Sequence, residues 1–430
     1  MIDKTVLFLV SSPAIGLSFL SMVGLVVQKC TWFQVILGGI KVFIGFTMLM
    51  VGIDIIVHSV SYLSDNIENI INVKGYISDS SIIYGIAVKE MGTYISITFA
   101  LTMLCNLIVV TFLNGRFIFL SGHSLLWLST VSNVVLYEYG YKGFMLAFIS
   151  SLFGGIVASY SPALCQPIIE KITGRKDIAL GHFCTSGYIM QGVFAKLLGN
   201  VNTSTEDIQL LRKIEIVGSR YLIMFCIMFP IYIYLYLTTD TIHSFNGLLT
   251  ESCKCVFFVI GIFIIEKSTS IIIDSLIPAF KGLTKRYAPQ AIPALDCPFL
   301  FHYMPNAMIL GFIFTLLGSF AGVLVLLRLE YNIIIPSLLV IFFSGATSGI
   351  FGNVLGGVRG VVAGGMFYGI LITLTPTLLI HHSREGFVFS DSDIVFSGIV
   401  LDSFLSGNGH ISILIILGLI VSYIYLVRHK

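Results

Sequence analysis

A single aspartate, Asp296, lies between three prolines in the run A-P-Q-A-I-P-A-L-D-C-P-F at residues 288–299, and long apolar stretches flank it on both sides. Proline removes a backbone donor and interrupts a regular helix. Interrupted backbone at membrane depth persists only where protein or a water-lined cavity covers it, and a carboxylate there needs a partner or a ligand. The run therefore predicts a broken or re-entrant segment with Asp296 at a substrate site. The alternative is an interfacial loop whose aspartate faces water.

Two aromatic side chains of different chemistry, His123 and Trp127, lie four positions apart in the apolar run 117–137. Residues i and i+4 share one face of a helix, so the imidazole and the indole could line one wall of a pocket. A hydroxylated ring stacked on the tryptophan and hydrogen-bonded to the histidine would suit a sugar site. The alternative is a histidine that bonds a backbone carbonyl within the helix packing.

A second histidine, His182, lies in the short segment G-H-F-C-T-S-G at residues 181–187. The weakly apolar stretch that follows is too short to cross a membrane, which predicts a re-entrant hairpin; a loop histidine in water is the alternative. Burial can tune a carboxylate or an imidazole to ionise near neutral pH. Asp296, His123 and His182 are therefore the candidates for a proton-accepting base.

Residues 345–353, G-A-T-S-G-I-F-G-N, followed by Gly356 and Gly357, are predicted to form a glycine-rich break inside another apolar run. A break there would expose backbone N–H groups, as anion sites in broken helices do. The stretch has no G-K-[ST], so it does not support nucleotide binding. Isolated charged residues at the edges of apolar runs are interpreted as paired or snorkelling side chains rather than as coupling machinery: Lys41, Asp54, Arg220, Glu266 and Arg359.

The composition defines the class of protein. Of 430 residues, 56% are hydrophobic and only 11% are charged, whereas soluble domains carry roughly 25% charged residues. The chain is therefore predicted to be an all-α polytopic membrane protein. A net charge of +2 gives no reason to expect nucleic acid as a partner, and eight scattered cysteines without a C-x-x-C pair are read as small hydrophobes. No metal, cofactor or disulfide is expected.

Eleven apolar runs are long enough to be membrane spans, and residues 394–405 form a twelfth that is too short, so it is predicted to be interfacial or re-entrant. The polar stretch 167–215 is rich in lysine and arginine and is predicted to be cytoplasmic. Residues 1–430 are interpreted as a single integral membrane unit. The eleven runs are residues 6–27, 35–60, 91–113, 117–137, 143–164, 216–237, 256–277, 308–327, 333–355, 361–380 and 411–427.

An internal repeat is visible at an offset of about 216 residues, with halves of roughly 35–165 and 250–380. Residues 75–81 then fall opposite the run that holds Asp296, which places Asp79 opposite Asp296. Two halves with matching interrupted segments indicate a transporter whose site lies between them near the bilayer midplane. Apolar helices resemble one another easily, so chance similarity is the alternative.

Five short motifs give the chain a family resemblance: L-S-G-H at 120–123, G-H-F at 181–183, A-L-D-C at 294–297, M-P-N-A at 304–307 and F-F-S-G-A-T-S-G-I-F-G-N at 342–353. In order and spacing they resemble the ascorbate-type membrane component, enzyme IIC, of the bacterial phosphoenolpyruvate-dependent phosphotransferase system. The resemblance implies about eleven transmembrane helices with re-entrant hairpins and an inverted repeat. It also implies a homodimer that lies in the lipid of the bacterial inner membrane. In each subunit a substrate-carrying core would move against a dimerisation scaffold.

Members of that family take up L-ascorbate. A separate phospho-IIB subunit, which works with IIA, phosphorylates the ascorbate as it enters. The resemblance therefore implies that the phosphoryl chemistry belongs to the partner. The family's glutamines are replaced here by Trp127 and Phe183, and its Thr-Tyr pair by Ser80-Ser81. The resemblance therefore implies ascorbate, or another sugar acid or polyol. The second hypothesis is an ion-coupled carrier in which Asp79 and Asp296 take up protons or sodium. Carried over by position, the family's substrate contacts fall on Ser80, Ser81, His123, Ser124, Leu125, Leu126, Trp127, His182, Phe183 and Asp296.

Overall fold

The structure is a computed structural model that describes residues 13–71, 75–112, 115–208, 220–238, 244–287, 290–301, 303–384 and 386–428. For some helical residues, Ser81, Arg220 and Glu266 among them, only the backbone is described. The described chain is mostly helical. Its α-helices are α1 Pro13–Val27, α2 Trp32–Ile71, α3 Ser80–Phe112, α4 Gly122–Glu138, α5 Gly143–Thr173, α6 Thr185–Leu198, α7 Arg220–Thr238, α8 Phe245–Tyr287, α9 Pro305–Arg328, α10 Leu338–Leu374, α11 Ser392–Leu405 and α12 His410–Arg428.

Six helical segments of the described chain are long and apolar enough to cross a bilayer, which needs about 20 residues. These segments make the chain a multi-pass membrane protein. The short run at 394–405, predicted not to span, is part of helix α11, which has 14 residues and a mostly buried surface. The six segments are Trp32–Gly52, Glu90–Phe112, Gly143–Thr173, Pro305–Arg328, Leu338–His382 and His410–Val427.

The helices pack in two groups. Helices α1, α2, α7 and α8 pack mainly against one another, with the two longest, α2 and α8, in extended contact. Helices α3 to α6 and α9 to α11 pack around the interrupted segments and contain most of the buried side chains. The candidate site residues picked out from the sequence lie in this second group or in the interrupted segments that it surrounds, whereas Lys41, Asp54, Arg220 and Glu266 lie in helices of the first group.

Within the described residues, six short strands lie between the helices and form two three-stranded parallel sheets, ordered β5-β1-β6 and β2-β4-β3. The central strand of each sheet pairs with strands that are distant in sequence: β1 with partners beyond residue 330, and β4 with partners before residue 181. Non-helical backbone inside a membrane must have its N–H and C=O groups paired, and these ladders pair them. The strands are β1 Gly75–Ser78, β2 Phe117–Phe119, β3 Ala179–Leu180, β4 Ile292–Leu295, β5 Ile333–Pro336 and β6 Phe387–Val388.

A buried asparagine on helix α3 pairs the free edge of strand β2. The Phe119 N–H donates to Asn106 Oδ1 at 3.0 Å, and Asn106 Nδ2 donates to the Phe117 carbonyl at 3.1 Å. The same nitrogen reaches Ser159 Oγ on α5 at 2.7 Å. A strand edge without partners would be costly in this environment, so Asn106 takes the place of a further strand and fixes β2 between α3 and α5.

Helices α9 and α10 cross so closely that only glycine fits between them. A Cβ atom added to Gly349 would lie 2.2 Å from the Ala307 carbonyl oxygen, and one on Gly311 would lie 2.5 Å from the Gly345 carbonyl oxygen. Small residues allow this approach between membrane helices. The prediction of a break is therefore wrong for residues 345–353, which are helical. The glycines of this stretch allow close packing, and its N–H groups bond within the helix.

The helical geometry of α10 is broken one turn later, at Gly356 and Gly357. Gly357 has φ +59°, a conformation that glycine adopts without a steric penalty. A Cβ at this position would also lie 1.9 Å from the Thr203 carbonyl oxygen. The break therefore serves close packing of the 200–203 turn against α10.

The polar stretch 167–215 contains more regular structure than its composition predicts. It holds the end of α5, strand β3, helix α6 and a 3₁₀ turn at Thr205–Asp207. In that turn Glu206 Oε1 accepts the Ala307 N–H at 2.9 Å and Oε2 accepts the Asn306 N–H at 3.3 Å. A carboxylate at a helix N-terminus satisfies unpaired N–H groups and complements the helix dipole. Glu206 thus caps α9, a role that the M-P-N-A motif alone did not reveal.

Candidate functional site

A cavity lies where the carboxyl ends of all six strands converge. It encloses about 490 Å³ of space not occupied by atoms, including its open mouth. Each strand is followed within four residues by a side chain that lines this cavity. These are Asp79 after β1, His123 after β2, His182 after β3, Asp296 after β4, Leu339 and Val340 after β5, and Ser390 and Asp391 after β6; Trp127 and Phe343 complete the described lining.

Asp296 lies between two imidazoles. Its Oδ2 is 3.3 Å from His123 Nε2, and its Oδ1 is 2.9 Å from His182 Nδ1. The Cys297 N–H also donates to Oδ1 at 2.8 Å. The Asp296 side chain is 13% exposed and that of His182 is 6% exposed, so neither has the water-facing position that the alternatives required. The structure brings together the three residues that the sequence singled out as candidate bases.

A carboxylate held by two imidazoles can do two things for a hydroxylated ligand. The carboxylate can accept a hydrogen bond from a ligand hydroxyl. The carboxylate and the imidazole next to it can also act together as a base that takes the proton of that hydroxyl. His123 and Trp127 have ring centroids 5.0 Å apart in an edge-on arrangement. This arrangement follows from the predicted i, i+4 spacing on one face of α4. An aromatic face beside hydrogen-bonding groups suits a sugar-like ring.

The other residues carried over from the resemblance are not among the described lining residues. Ser80 is buried and bonded to Ser390, its Oγ donating to the Ser390 carbonyl at 3.1 Å. Phe183 stacks on Phe119 with centroids 4.2 Å apart. Of Ser81 only the backbone is described, so its side chain lies outside the described residues. The three remaining residues are buried within α4 next to His123: Ser124, Leu125 and Leu126.

Sequence reasoning missed Asp391, which lines the cavity and is 5% exposed. Its backbone has φ +63°, unusual for a residue with a side chain. Cys184 Sγ donates to its Oδ1 at 3.3 Å, and Ser390 Oγ donates to its Oδ2 at 3.2 Å. A signal did exist: Asp391 follows a short strand closely, as Asp79 and Asp296 do. Its position in a polar run, beyond the 3₁₀ turns at Thr375–His382 that follow α10, concealed that similarity.

Two sets of donor atoms around His182 have the chemistry of a metal site, each within 4.8 Å: His182, Cys184 and Asp391, and His182, Asp296 and Cys297. Imidazole, thiolate and carboxylate are the ligands that Zn²⁺ prefers. The hydrogen bonds of Asp296 and Asp391 already pair most of these atoms with one another. The arrangement is therefore explained without an ion.

A second cluster of charged side chains joins the ends of α4, α10 and α11 away from the cavity. His382 bonds Glu138 through Nδ1 and Asp402 through Nε2, the latter at 3.1 Å. Arg384 pairs with Glu138, and Tyr139 donates to Asp402 Oδ1 at 2.9 Å. Burial alone raises the pKa of Asp402, but hydrogen bonds from the histidines and Tyr139 outweigh it and hold that pKa below its ordinary value.

We expect Asp402→Asn to lower the melting temperature of the detergent-solubilised protein by a few degrees at pH 7, corresponding to about 1 kcal/mol for a partly exposed network. Because the pKa of Asp402 is lower in the folded chain than in the unfolded chain, its ionisation stabilises the fold at pH values above about 4, the pKa of an aspartate in an unfolded chain. This stabilisation is lost as the pH falls further. The difference between variant and native protein should therefore shrink toward pH 3. The control is Asp177→Asn, which alters an exposed ion pair with Arg175. An equal difference at both pH values would contradict the prediction.

Six apolar helical segments and a buried polar cavity built at interrupted segments define the chain as a multi-pass membrane permease. It belongs to the EIIC-GAT family, described as the PTS system sugar-specific permease component, whose model matches residues 8–398. The enzyme IIC resemblance of the five motifs is thereby confirmed.

One curated relative is the ascorbate-specific PTS system EIIC component of Mycoplasma pneumoniae (strain ATCC 29342 / M129 / Subtype 1). It is 20% identical over 405 residues, which cover 80% of this chain and 61% of the relative. The chain thus spans about 61% of the length of that relative.

Proposed function

We propose that this chain is the membrane subunit of a phosphotransferase-system transporter in the bacterial inner membrane. It carries L-ascorbate or a related sugar acid or polyol, which a separate phospho-IIB phosphorylates. The observation that carries the proposal is the cavity at the six strand ends, with Asp296 held between His123 and His182. Membership of the permease family and the relative specific for ascorbate support it.

In this mechanism the chain binds and positions the substrate, and the phosphorylated partner supplies the phosphoryl group. The substrate hydroxyl oxygen forms the new bond to phosphorus while the phosphorus bond to the partner's cysteine or histidine breaks. The hydroxyl proton passes to Asp296 and its paired imidazole, which lie within hydrogen-bond distance of each other. Trp127 stacks on the substrate and orients the reacting hydroxyl.

The proposal includes an eleven-span fold with an inverted repeat, halves of roughly 35–165 and 250–380, and a homodimer. The order helix, strand, helix, strand, helix occurs twice, from α2 to α4 and from α8 to α10, which supports the repeat. The separate packing group of α1, α2, α7 and α8 supports a scaffold against which the core moves. The polar stretch 167–215 is proposed to be cytoplasmic because it is rich in lysine and arginine.

An ion-coupled carrier without phosphorylation is the second candidate function, favoured by one observation: Asp79 and Asp296 both line the cavity. Membrane vesicles loaded with phosphoenolpyruvate and the soluble phosphotransferase proteins, IIA and IIB included, separate the two. We expect uptake of a radiolabelled substrate only with phosphoenolpyruvate, and a phosphorylated product inside. Accumulation of unmodified substrate driven by a proton or sodium gradient alone would overturn the proposal in favour of the carrier.

The proposal predicts that Trp127→Ala weakens substrate binding by roughly 10- to 100-fold, because a buried aromatic contact contributes about 1.5–3 kcal/mol. Isothermal titration of the purified protein measures the change. The chain offers a matched control in Trp32, its other tryptophan, which is 76% exposed at the start of α2. Trp32→Ala should leave affinity unchanged, and equal losses in both variants would argue against a stacking role for Trp127.

A further inference from the structure

Two adjacent histidines, in the 3₁₀ turns that follow α10, direct their Nε2 atoms at one carboxylate oxygen. His381 Nε2 lies 3.2 Å and His382 Nε2 lies 3.1 Å from Asp402 Oδ1. The two imidazole rings are close together, with centroids 4.1 Å apart. The Tyr139 hydroxyl also donates to Asp402 Oδ1, at 2.9 Å. Three side chains that can bind a metal ion therefore converge at one point, and none of them is among the described residues that line the central cavity.

Ordinary hydrogen bonds do not account for three groups on one oxygen. A carboxylate has about four lone-pair sites, two on each oxygen, so Asp402 Oδ1 can accept about two hydrogen bonds. Three polar atoms nevertheless lie within 3.2 Å of it, those of His381, His382 and Tyr139. A cation at the point of convergence would remove this excess, because each imidazole nitrogen would then bind it through a lone pair.

The tautomer of His382 points in the same direction. His382 Nδ1 is bonded to Glu138, and an ionised carboxylate can only accept, so Nδ1 carries the proton. A neutral imidazole has a proton on one ring nitrogen only. The Nε2 atom of neutral His382 therefore presents a lone pair to Asp402 Oδ1, which has lone pairs of its own. A metal ion between these two atoms would bind both.

The distances are close to those between the ligands of a transition-metal ion. Imidazole nitrogen and carboxylate oxygen bind Zn²⁺ at about 2.0–2.2 Å. Two ligands of a tetrahedral ion with these bond lengths lie about 3.3–3.6 Å apart. The separations of His381 and His382 from Asp402 Oδ1 are only a few tenths of an ångström shorter, and the three donor atoms all lie within 4.8 Å of one another. Small side-chain movements would admit the ion.

Glu138 has the position of an outer-shell partner. A histidine that binds a metal almost always donates its other ring N–H to a carboxylate, a carbonyl or water, which fixes its tautomer and orientation. Glu138 is that carboxylate for His382, and Arg384 pairs with Glu138 in turn. The His382 side chain is 2% exposed, which holds its ring in place, whereas that of His381 is 53% exposed. The open side at His381 gives an ion a route to the site.

We propose that His381, His382 and Asp402 bind a divalent transition-metal ion such as Zn²⁺, with Tyr139 or a water molecule completing its coordination. The ion joins the 3₁₀ turns Thr375–His382 to the last turn of α11 and so stabilises the packing of these two elements. Because the site lies outside the central cavity, metal binding does not depend on the proposed transport function.

Titration calorimetry with Zn²⁺ alone tests for the site, using the full chain purified with a tag that lacks histidine and stripped with EDTA. We expect one zinc ion per chain. Saturating zinc should raise the melting temperature by several degrees, because a ligand that binds only the folded state stabilises that state. Mg²⁺, which prefers oxygen ligands in octahedral geometry, should have neither effect. Absence of saturable zinc binding would overturn the proposal and leave a hydrogen-bonded cluster only.

Three variants locate the ion. Glu138→Gln should weaken zinc binding roughly 10- to 100-fold, as loss of an outer-shell partner does. His381→Ala removes an exposed ligand and should weaken zinc binding at least as much, with its folding checked by a melting curve without metal. His410→Ala is the control, since His410 is exposed at the start of α12, and it should bind zinc as the native chain does. Unchanged zinc affinity in His381→Ala would overturn the proposal.

Cobalt substitution separates this site from the cysteine-containing sets of donors around His182. Co²⁺ bound by His381, His382 and Asp402 has only nitrogen and oxygen ligands, so its spectrum should show d–d bands without a sulfur-to-metal charge-transfer band. A sulfur-to-metal band in the near ultraviolet would place the ion beside His182 and overturn the proposal.

Discussion

Replacing Asp296 by asparagine should weaken substrate binding at least a hundredfold and abolish uptake. The substitution leaves His123 and His182, which lie 3.3 and 2.9 Å from the carboxylate, without their shared charged acceptor. Removing one partner of a buried ion pair typically costs about 3–5 kcal/mol, equivalent to a factor of roughly 10² to 5 × 10³. Titration of the purified variant and uptake into vesicles measure the two effects.

The matched control is Asp177→Asn, an aspartate with a 60% exposed side chain. It should bind and transport as the native chain does. A melting curve without ligand shows whether the Asp296 variant is folded. Native affinity and native uptake in a folded Asp296→Asn protein would mean that the substrate lies elsewhere.

The second large effect is expected at the crossing of α9 and α10, where we expect Gly349→Val to prevent folding. A Cβ at Gly349 would lie 2.2 Å from the Ala307 carbonyl oxygen and 2.5 Å from the Gly311 Cα. Both atoms belong to the backbone of α9, so the clash is relieved only if the two helices separate. Size-exclusion chromatography in detergent should show aggregated protein or a strongly reduced yield.

Gly418→Val in helix α12 is the control for the glycine prediction. An added Cβ there meets nothing within 4 Å, so this variant should elute and melt like the native protein. A monodisperse Gly349→Val protein with an unchanged melting temperature would contradict the close helix crossing.

The cavity residues that could be predicted from the sequence are those marked by local rules. Prolines around Asp296 predict interrupted backbone, and the spacing of His123 and Trp127 predicts a shared helix face. These signals extend over a few residues and need no knowledge of the rest of the fold. These rules identify Asp296 and His123 separately; the expectation that the two share a site comes from the family resemblance, and the structure places their side chains 3.3 Å apart.

What could not be predicted depends on partners far away in sequence. The strands have two to four residues each, too few for any periodicity to be visible, and their pairing decides which side chains converge. Asp391 was missed for this reason. Gly349 illustrates the other difficulty: a glycine in an apolar run can break a helix or admit a neighbouring one, and only the position of α9 decides between these roles.

The pairing of β1 bears on how the protein assembles during synthesis. Its partners, β5 and β6, begin at Ile333 and Phe387, so more than 250 residues must be added before β1 obtains its first ladder. Until then the N–H and C=O groups of β1 lack these partner strands, and unbonded backbone groups are costly inside a membrane. Contacts between such distant segments also form slowly. We therefore expect ribosome-bound chains halted before β5 to be degraded more readily than those halted after β6.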